Sequence, residues 1–344
     1  MSGLVAILQD FLSTATGGRT LIPGNHYTLP RSITSMTKAR PFLASFAVGM
    51  AVLAGCSTLD YKQREWIFQP SDRAWGNVQE APDMQDVWID FHSDTEAGPG
   101  RLHALWLPAA TPENLPRTVP GPQPQAVGGP PVLLYLHGAR WNVLGSAGRI
   151  RRMQEMGFSV LAIDYRGFGK SSAGLPSEET AREDARAAWQ WLAKRFPDRS
   201  RYLFGHSLGG AIAIDLATDI HDASGVIVEG TFTNITDVVS NFKWGWLPLS
   251  ALITQRFESI DKVRRIEAPL LVVHGTDDSV IPAALGKRLY EAARGPKQFV
   301  LVQGGSHYST NAVGEAQYRR ALHGLFGLNT LPPVTTDMAQ VTPL

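Results

Sequence analysis

The chain of 344 residues is 44% hydrophobic and 18% charged, with 33 Gly and 23 Pro, which excludes wholesale disorder, a collagen-like repeat and a long coiled coil. Its 32 basic and 31 acidic side chains leave a net charge of +1, too little to gather nucleic acid or another polyanion around the molecule. A single cysteine rules out an internal disulfide and a cysteine-rich metal site, so a domain of this length must be held by its core.

The first recognisable segment begins at Met36. Lys38 and Arg40 precede the apolar run 41–54, which is shorter than the roughly 20 residues a spanning helix needs. Basic flank, apolar run and the small residues Ala54 and Gly55 have the layout of a secretory signal peptide over 36–55. Leu53-Ala54-Gly55-Cys56 resembles the lipobox of bacterial lipoproteins. That resemblance implies a Cys56 that is acylated and becomes the mature amino terminus, tying the protein to a membrane in the cell envelope. Ser57 after it implies the outer membrane, facing the periplasm, if the host is Gram-negative. The alternative for Cys56 is a buried thiol at the end of a core helix. Residues 1–35 show no sustained periodicity, and translation is expected to start at Met36, leaving 1–35 as an extension outside the protein.

Residues 56–84 read as a linker, 85–328 as one domain and 329–344 as a flexible tail. The alternating stretches Val87 to Phe91 and Arg101 to Leu107 predict antiparallel strands at a leading edge. Eight prolines between Pro108 and Pro131 make an extended connection. Beyond it come short apolar runs suited to strands buried on both faces: Val132 to Leu136, Ser159 to Ile163, Tyr202 to Phe204, Val226 to Val228, Leu270 to Val273 and Phe299 to Val302. Helix-like stretches lie between them, the clearest at Glu178 to Arg195, with others at Ala283 to Ala293 and Ala316 to Phe326. Alternating strand and helix predicts an α/β fold with a mostly parallel sheet covered on both faces.

Gly205-His206-Ser207-Leu208-Gly209-Gly210 gives G-x-S-x-G directly after a strand and before an apolar helix. Such a turn holds a hydroxyl above the sheet, and Gly205 and Gly209 let strand and helix approach without a Cβ between them. A serine hydroxyl becomes a nucleophile when a base takes its proton and an acid orients that base. Candidates stand at the ends of later strands: Asp277 and Asp278 after Leu270 to Val273, and His307 in the glycine-rich turn after Phe299 to Val302. The order is Ser, Asp, His.

From about residue 85 to 327 the chain resembles the α/β-hydrolase superfamily, and within it the BEM46-like and ABHD13/17-like serine hydrolases. The resemblance rests on Leu134-Tyr135-Leu136-His137-Gly138, Asp164-Tyr165-Arg166-Gly167-Phe168-Gly169-Lys170-Ser171, the serine turn, Glu229-Gly230-Thr231-Phe232-Thr233, and the acid and histidine loops. It implies an α/β-hydrolase fold with Ser207 as nucleophile, His307 as base and then acid, and Asp278 as the orienting carboxylate. Asp278 fits the family's H-G-x-x-D-x-x-x-P loop better than Asp277, which reads as a solvent-facing turn carboxylate. Glu229 is the outside candidate for the acid and otherwise braces the turn. Main-chain amides of Leu208 and Ala139 are expected to form the oxyanion hole.

After His137-Gly138 the sequence departs from its relatives with Ala139-Arg140-Trp141-Asn142. Arg140 has two readings, recognition of an anionic ester or a surface salt bridge with Trp141 packed below it. A short lid is expected at about 242–256, where Trp244 and Trp246 either line an acyl pocket or close the core. Gly169-Lys170-Ser171 fails as a phosphate loop because Asp164 stands where the first glycine is required. The histidines show no metal-ligand spacing, so neither metal nor cofactor is expected; His137, His206 and His274 are expected to hold turns by hydrogen bonds. The expected activity is hydrolysis of a small-molecule or lipid ester or thioester through an acyl-enzyme. The alternatives are a peptidase or amidase of the same fold and a non-catalytic envelope binding protein.

Overall fold

The computed structural model describes residues 55–73, 80–110, 128–240 and 252–328, all within the unit Gly55–Leu344. The predicted signal segment up to Ala54, residues 111–127 of the proline-rich connection, residues 241–251 of the expected lid and the tail 329–344 lie outside the described residues.

An eight-stranded sheet runs in the order β1-β2-β4-β3-β5-β6-β7-β8. Its strands are β1 Gln85–Ser93, β2 Gly98–Leu107, β3 Val132–Leu136, β4 Ser159–Ile163, β5 Arg201–His206, β6 Gly225–Glu229, β7 Leu270–Gly275 and β8 Lys297–Val302. The first two form an antiparallel hairpin, and β2 joins β4 antiparallel; from β4 to β8 all pairings are parallel. This is the α/β-hydrolase fold, as expected, and each anticipated strand is present.

The apolar runs form strands because both of their faces have a layer to pack against. In β3, Val132, Leu134 and Leu136 enter one core while Leu133 and Tyr135 enter the other. The same alternation sends Leu270 and Val272 of β7 to the first layer and Leu271 and Val273 to the second. The first layer is covered by α3 Glu178–Arg195, α4 Leu208–Ala217 and α5 Ala283–Ala292; the second by α2 Ala147–Glu155 and α6 Glu315–Phe326. The start of α3 is set locally. The Ser177 hydroxyl accepts from the Thr180 amide (3.1 Å) while the Thr180 hydroxyl accepts from the Ser177 amide (2.8 Å), and Glu178 and Glu179 complement the helix dipole.

The stretch expected as a linker is different. Residues 55–68 are helical (α1), and Ile67 and Phe68 at its end are buried in the first core layer, with Trp66 packed beside them. The Phe68 ring stands 5.8 Å from that of Phe257. Charged residues Asp60, Lys62, Arg64 and Glu65 concealed this helix in a composition-based reading, whereas Trp66-Ile67-Phe68 is what docks it.

The strand order places β3 between β4 and β5, the point where successive crossovers leave in opposite directions. In sheets of this kind such a switch point, at the carboxyl ends of β3 and β5 here, is where ligands bind. His137 and Ser207 follow those two ends.

Candidate active site

Ser207 joins β5 to α4 with φ 56° and ψ −119°, a conformation that costs a non-glycine residue about 1–3 kcal/mol. Its surroundings enforce it. The Ser207 amide donates to the Glu229 carbonyl (2.9 Å), and the Thr231 hydroxyl donates to the Ser207 carbonyl (2.8 Å). A Cβ on Gly205 would fall 2.2 Å from the Gly209 carbonyl oxygen, and one on Gly209 would fall 2.1 Å from that of Leu136. Strand, turn and helix therefore close only with glycine at both positions.

The loops after β7 and β8 bring the acid and the imidazole to this turn. His307 Nε2 lies 3.0 Å from Ser207 Oγ, and His307 Nδ1 lies 2.8 Å from Asp278 Oδ2. Both His307 and Asp278 are buried. The other carboxylate oxygen, Asp278 Oδ1, accepts from the amides of Val280 (2.9 Å) and Ile281 (2.8 Å). Burial alone would raise the Asp278 pKa. Hydrogen bonds from His274 and His307 and from the Ile281 amide outweigh it and hold the carboxyl well below the usual range. An ionised Asp278 only accepts, so it fixes the proton on His307 Nδ1 and leaves Nε2 to accept from the serine hydroxyl.

The histidine loop has its own supports. His206 Nε2–H donates to the His307 carbonyl (2.9 Å), and burial, then the positive charge of Arg149, keep His206 far below the ordinary imidazole pKa and neutral. Arg149 Nη2 donates to the carbonyls of His307 (3.0 Å) and Tyr308 (3.1 Å), while its Nε donates to Glu229 (2.8 Å). Glu229 also accepts from the Tyr318 hydroxyl. Its carboxylate is thus engaged beneath the turn and does not partner His307. Asp277 is exposed and accepts from Thr276 Oγ1 (2.8 Å), as a turn carboxylate would. Sequence reasoning did not single out Arg149, because its partners are distant in the chain and no local motif marks it.

His274 Nε2–H donates to the Ile281 carbonyl (2.9 Å) and His137 Nδ1–H to the Gly138 carbonyl (2.6 Å), the turn-holding roles expected of them. Gly138 packs close to Ser207, since a Cβ there would lie 3.1 Å from Ser207 Cβ. Ala139 follows Gly138 in the chain. Among the described residues neither the Ala139 amide nor that of Leu208, first in α4, donates to another protein group, so both are available to a ligand oxygen. Arg140 is exposed with φ +84° and makes no ion pair among the described residues, so the expected surface salt bridge is not found there. Trp141 is half-buried beside it. Trp244 and Trp246 lie outside the described residues. Cys56 is exposed on α1, which excludes the buried-thiol alternative.

A serine on a strained strand-to-helix turn, an imidazole and a buried carboxylate stand together at the edge of this α/β-hydrolase fold. Residues 131–260 match the family described as serine aminopeptidase, S33, a span that includes Ser207 and ends before Asp278 and His307. Among curated proteins, the chain is 40% identical over 155 residues to the uncharacterized protein Rv2307c of Mycobacterium tuberculosis, covering 44% of this chain and 54% of that one. It is 35% identical over 185 residues to the lysophosphatidylserine lipase ABHD12 of Danio rerio, covering 47% of each. The chain spans about half the length of the curated relatives it matches. Among solved structures it is similar to the Pyrococcus furiosus esterase Pf2001, with a TM-score of 0.57 and 18% identity over 75% of this chain and 97% of that one. Est1E from Butyrivibrio proteoclasticus gives a TM-score of 0.52 at 16% identity over 66% of this chain and 96% of that one. Those two likenesses concern the fold.

Proposed function

We propose that the protein is a serine hydrolase that cleaves a carboxylic ester or thioester through an acyl-enzyme. The observation that carries this reading is the unbroken chain of hydrogen bonds from Ser207 Oγ through His307 to Asp278. His307 Nε2 takes the serine proton as Oγ attacks the carbonyl carbon, and Asp278 stabilises the imidazolium that forms. The oxyanion is received by the Ala139 and Leu208 amides. His307 then passes its proton to the departing alcohol or thiol, and the carbonyl re-forms on the acyl-serine. Water, deprotonated by the same imidazole, reverses the sequence and releases the acid. Donors of this kind contribute about 2.7–4 kcal/mol each to transition-state stability.

A lipid ester is the favoured substrate class, supported by the lysophosphatidylserine lipases among the relatives, and the motifs around Ser207, Asp278 and His307 favour the BEM46-like and ABHD13/17-like branch. The lipobox-like stretch favours acylation of Cys56 and attachment to the cell envelope, at the outer membrane in a Gram-negative host. A stable anchor of this kind requires more than one acyl chain. Labelled palmitate is expected to enter the wild type and not Cys56→Ser; equal labelling would end that assignment.

The aminopeptidase description of the matched family motivates a second reading, cleavage of an amide. Side-by-side turnover of p-nitrophenyl esters, acyl-CoA and aminoacyl-anilides separates the two. Ester or thioester turnover that disappears in Ser207→Ala is the expected result. Faster turnover of the anilides would favour the peptidase, and binding without turnover of any substrate would favour a non-catalytic role.

A further inference from the structure

The turn that carries Ala139 is held on one side by the core. The Val143 amide donates to buried Asp164 Oδ1 (2.7 Å), and the Tyr165 hydroxyl donates to the His137 carbonyl (3.2 Å). Its other side is held by the chain's first described segment. The Phe68 carbonyl accepts from the Arg140 amide (2.8 Å), the Arg73 carbonyl from the Asn142 amide (3.1 Å), and the Asp72 carbonyl from Asn142 Nδ2 (2.9 Å).

These contacts match two needs. Carbonyls in the last turn of a helix have no partner within it, and Gln69, with φ +48°, ends α1 so that the Phe68 carbonyl is left facing the turn. Arg140, at φ +84°, occupies a conformation that persists only when its neighbours impose it. The helix itself is secured at several points. Phe68 is fully buried against Phe257, Gln63 Nε2 donates to the Leu252 carbonyl (2.7 Å), the Thr254 amide donates to Gln63 Oε1 (2.8 Å), and Gln255 Nε2 donates to Asp60 (2.9 Å).

We propose that residues 55–73 are a positioning brace for the oxyanion turn, with Phe68 and Asn142 as the positioning residues that set the Ala139 amide. This deepens the serine hydrolase reading and rests on it. The brace acts on charge that develops only in the transition state, so loosening it lowers kcat and leaves substrate affinity nearly untouched.

The test uses the full chain carrying Asn142→Ala, Phe68→Ala or the conservative Phe68→Leu. Each is assayed for steady-state turnover of a p-nitrophenyl ester and for amide hydrogen exchange. For Asn142→Ala and Phe68→Ala, kcat is expected to fall about tenfold, short of the hundredfold or more that follows removal of an oxyanion donor, with KM within about twofold. Exchange should accelerate at residues 138–142 while α4 stays protected. Phe68→Leu, which keeps the apolar anchor, should recover most of kcat. If Phe68→Ala does not fold, Asn142→Ala carries the test, because it removes one hydrogen bond and leaves the core layer intact. Unchanged exchange at 138–142, or wild-type kcat in folded Asn142→Ala, overturns the brace. Absence of turnover in the wild type would strike the hydrolase reading instead, and the exchange rates would still decide whether the brace exists.

Discussion

The two sides of the candidate site are built differently. On the serine and histidine side, each side chain stands in the loop after a parallel strand: Ser207 directly after β5, Asp278 three residues after β7 and His307 five residues after β8. On the other side, Ala139 follows β3, and the turn after it is hydrogen-bonded to residues 68–73, about 70 positions earlier in the chain. The first side follows from local rules of strand, glycine and loop. The second depends on a long-range contact, so sequence and structure diverge there.

Substitutions can break or sharpen this contrast. Asp278→Asn leaves the shape of the histidine side intact while favouring the wrong tautomer of His307, and kcat is expected to fall about 10⁴-fold with little change in Tm. A loss of less than about tenfold, measured by steady-state kinetics, would mean that another carboxylate orients the ring. Gly209→Ala tests the seam between the two sides, because the added Cβ would meet the Leu136 carbonyl at 2.1 Å and that of His137 at 2.5 Å. Overpacking of this kind destabilises by about 1–3 kcal/mol, and the displaced end of β3 should lower kcat as well; urea unfolding and kinetics on one preparation check both.

The smallest effect is expected away from both sides. Burial raises the Glu183 pKa, but hydrogen bonds from Thr95, Ser93, Arg166 and the Asp94 amide prevail and bring it to about 2 from an ordinary 4.5. A carboxylate depressed in the folded state stabilises above its unfolded pKa and loses that contribution as pH falls. The Tm deficit of Glu183→Gln should therefore be constant above pH 4.5 and shrink as pH drops towards 2. A deficit independent of pH over that window would show that Glu183 contributes by packing alone.

Much of this was legible in the sequence because the signals were local. Continuous apolar runs such as Leu134-Tyr135-Leu136 can be buried on both faces only in a covered parallel sheet. Glycines two positions either side of Ser207 admit a strand and a helix at close approach. Resemblance to the α/β-hydrolase acid loop favoured Asp278 over Asp277, and the structure pairs Asp278 with His307 while Asp277 faces solvent. What was not legible depends on partners far away in the chain. Arg149 looks like any arginine of an amphipathic helix until Glu229 and the His307 carbonyl are placed against it. Residues 56–68 looked like a linker because their charged side chains outnumber the few apolar ones that dock at Trp66, Ile67 and Phe68.

Intact-mass analysis after fluorophosphonate treatment, followed by peptide mapping, tests the central claim most directly. One phosphonyl group on Ser207, formed in the wild type and absent from Ser207→Ala, is the expected result. A wild-type chain that stays unmodified, or carries the label on a different residue, would contradict the assignment of Ser207 as the activated nucleophile.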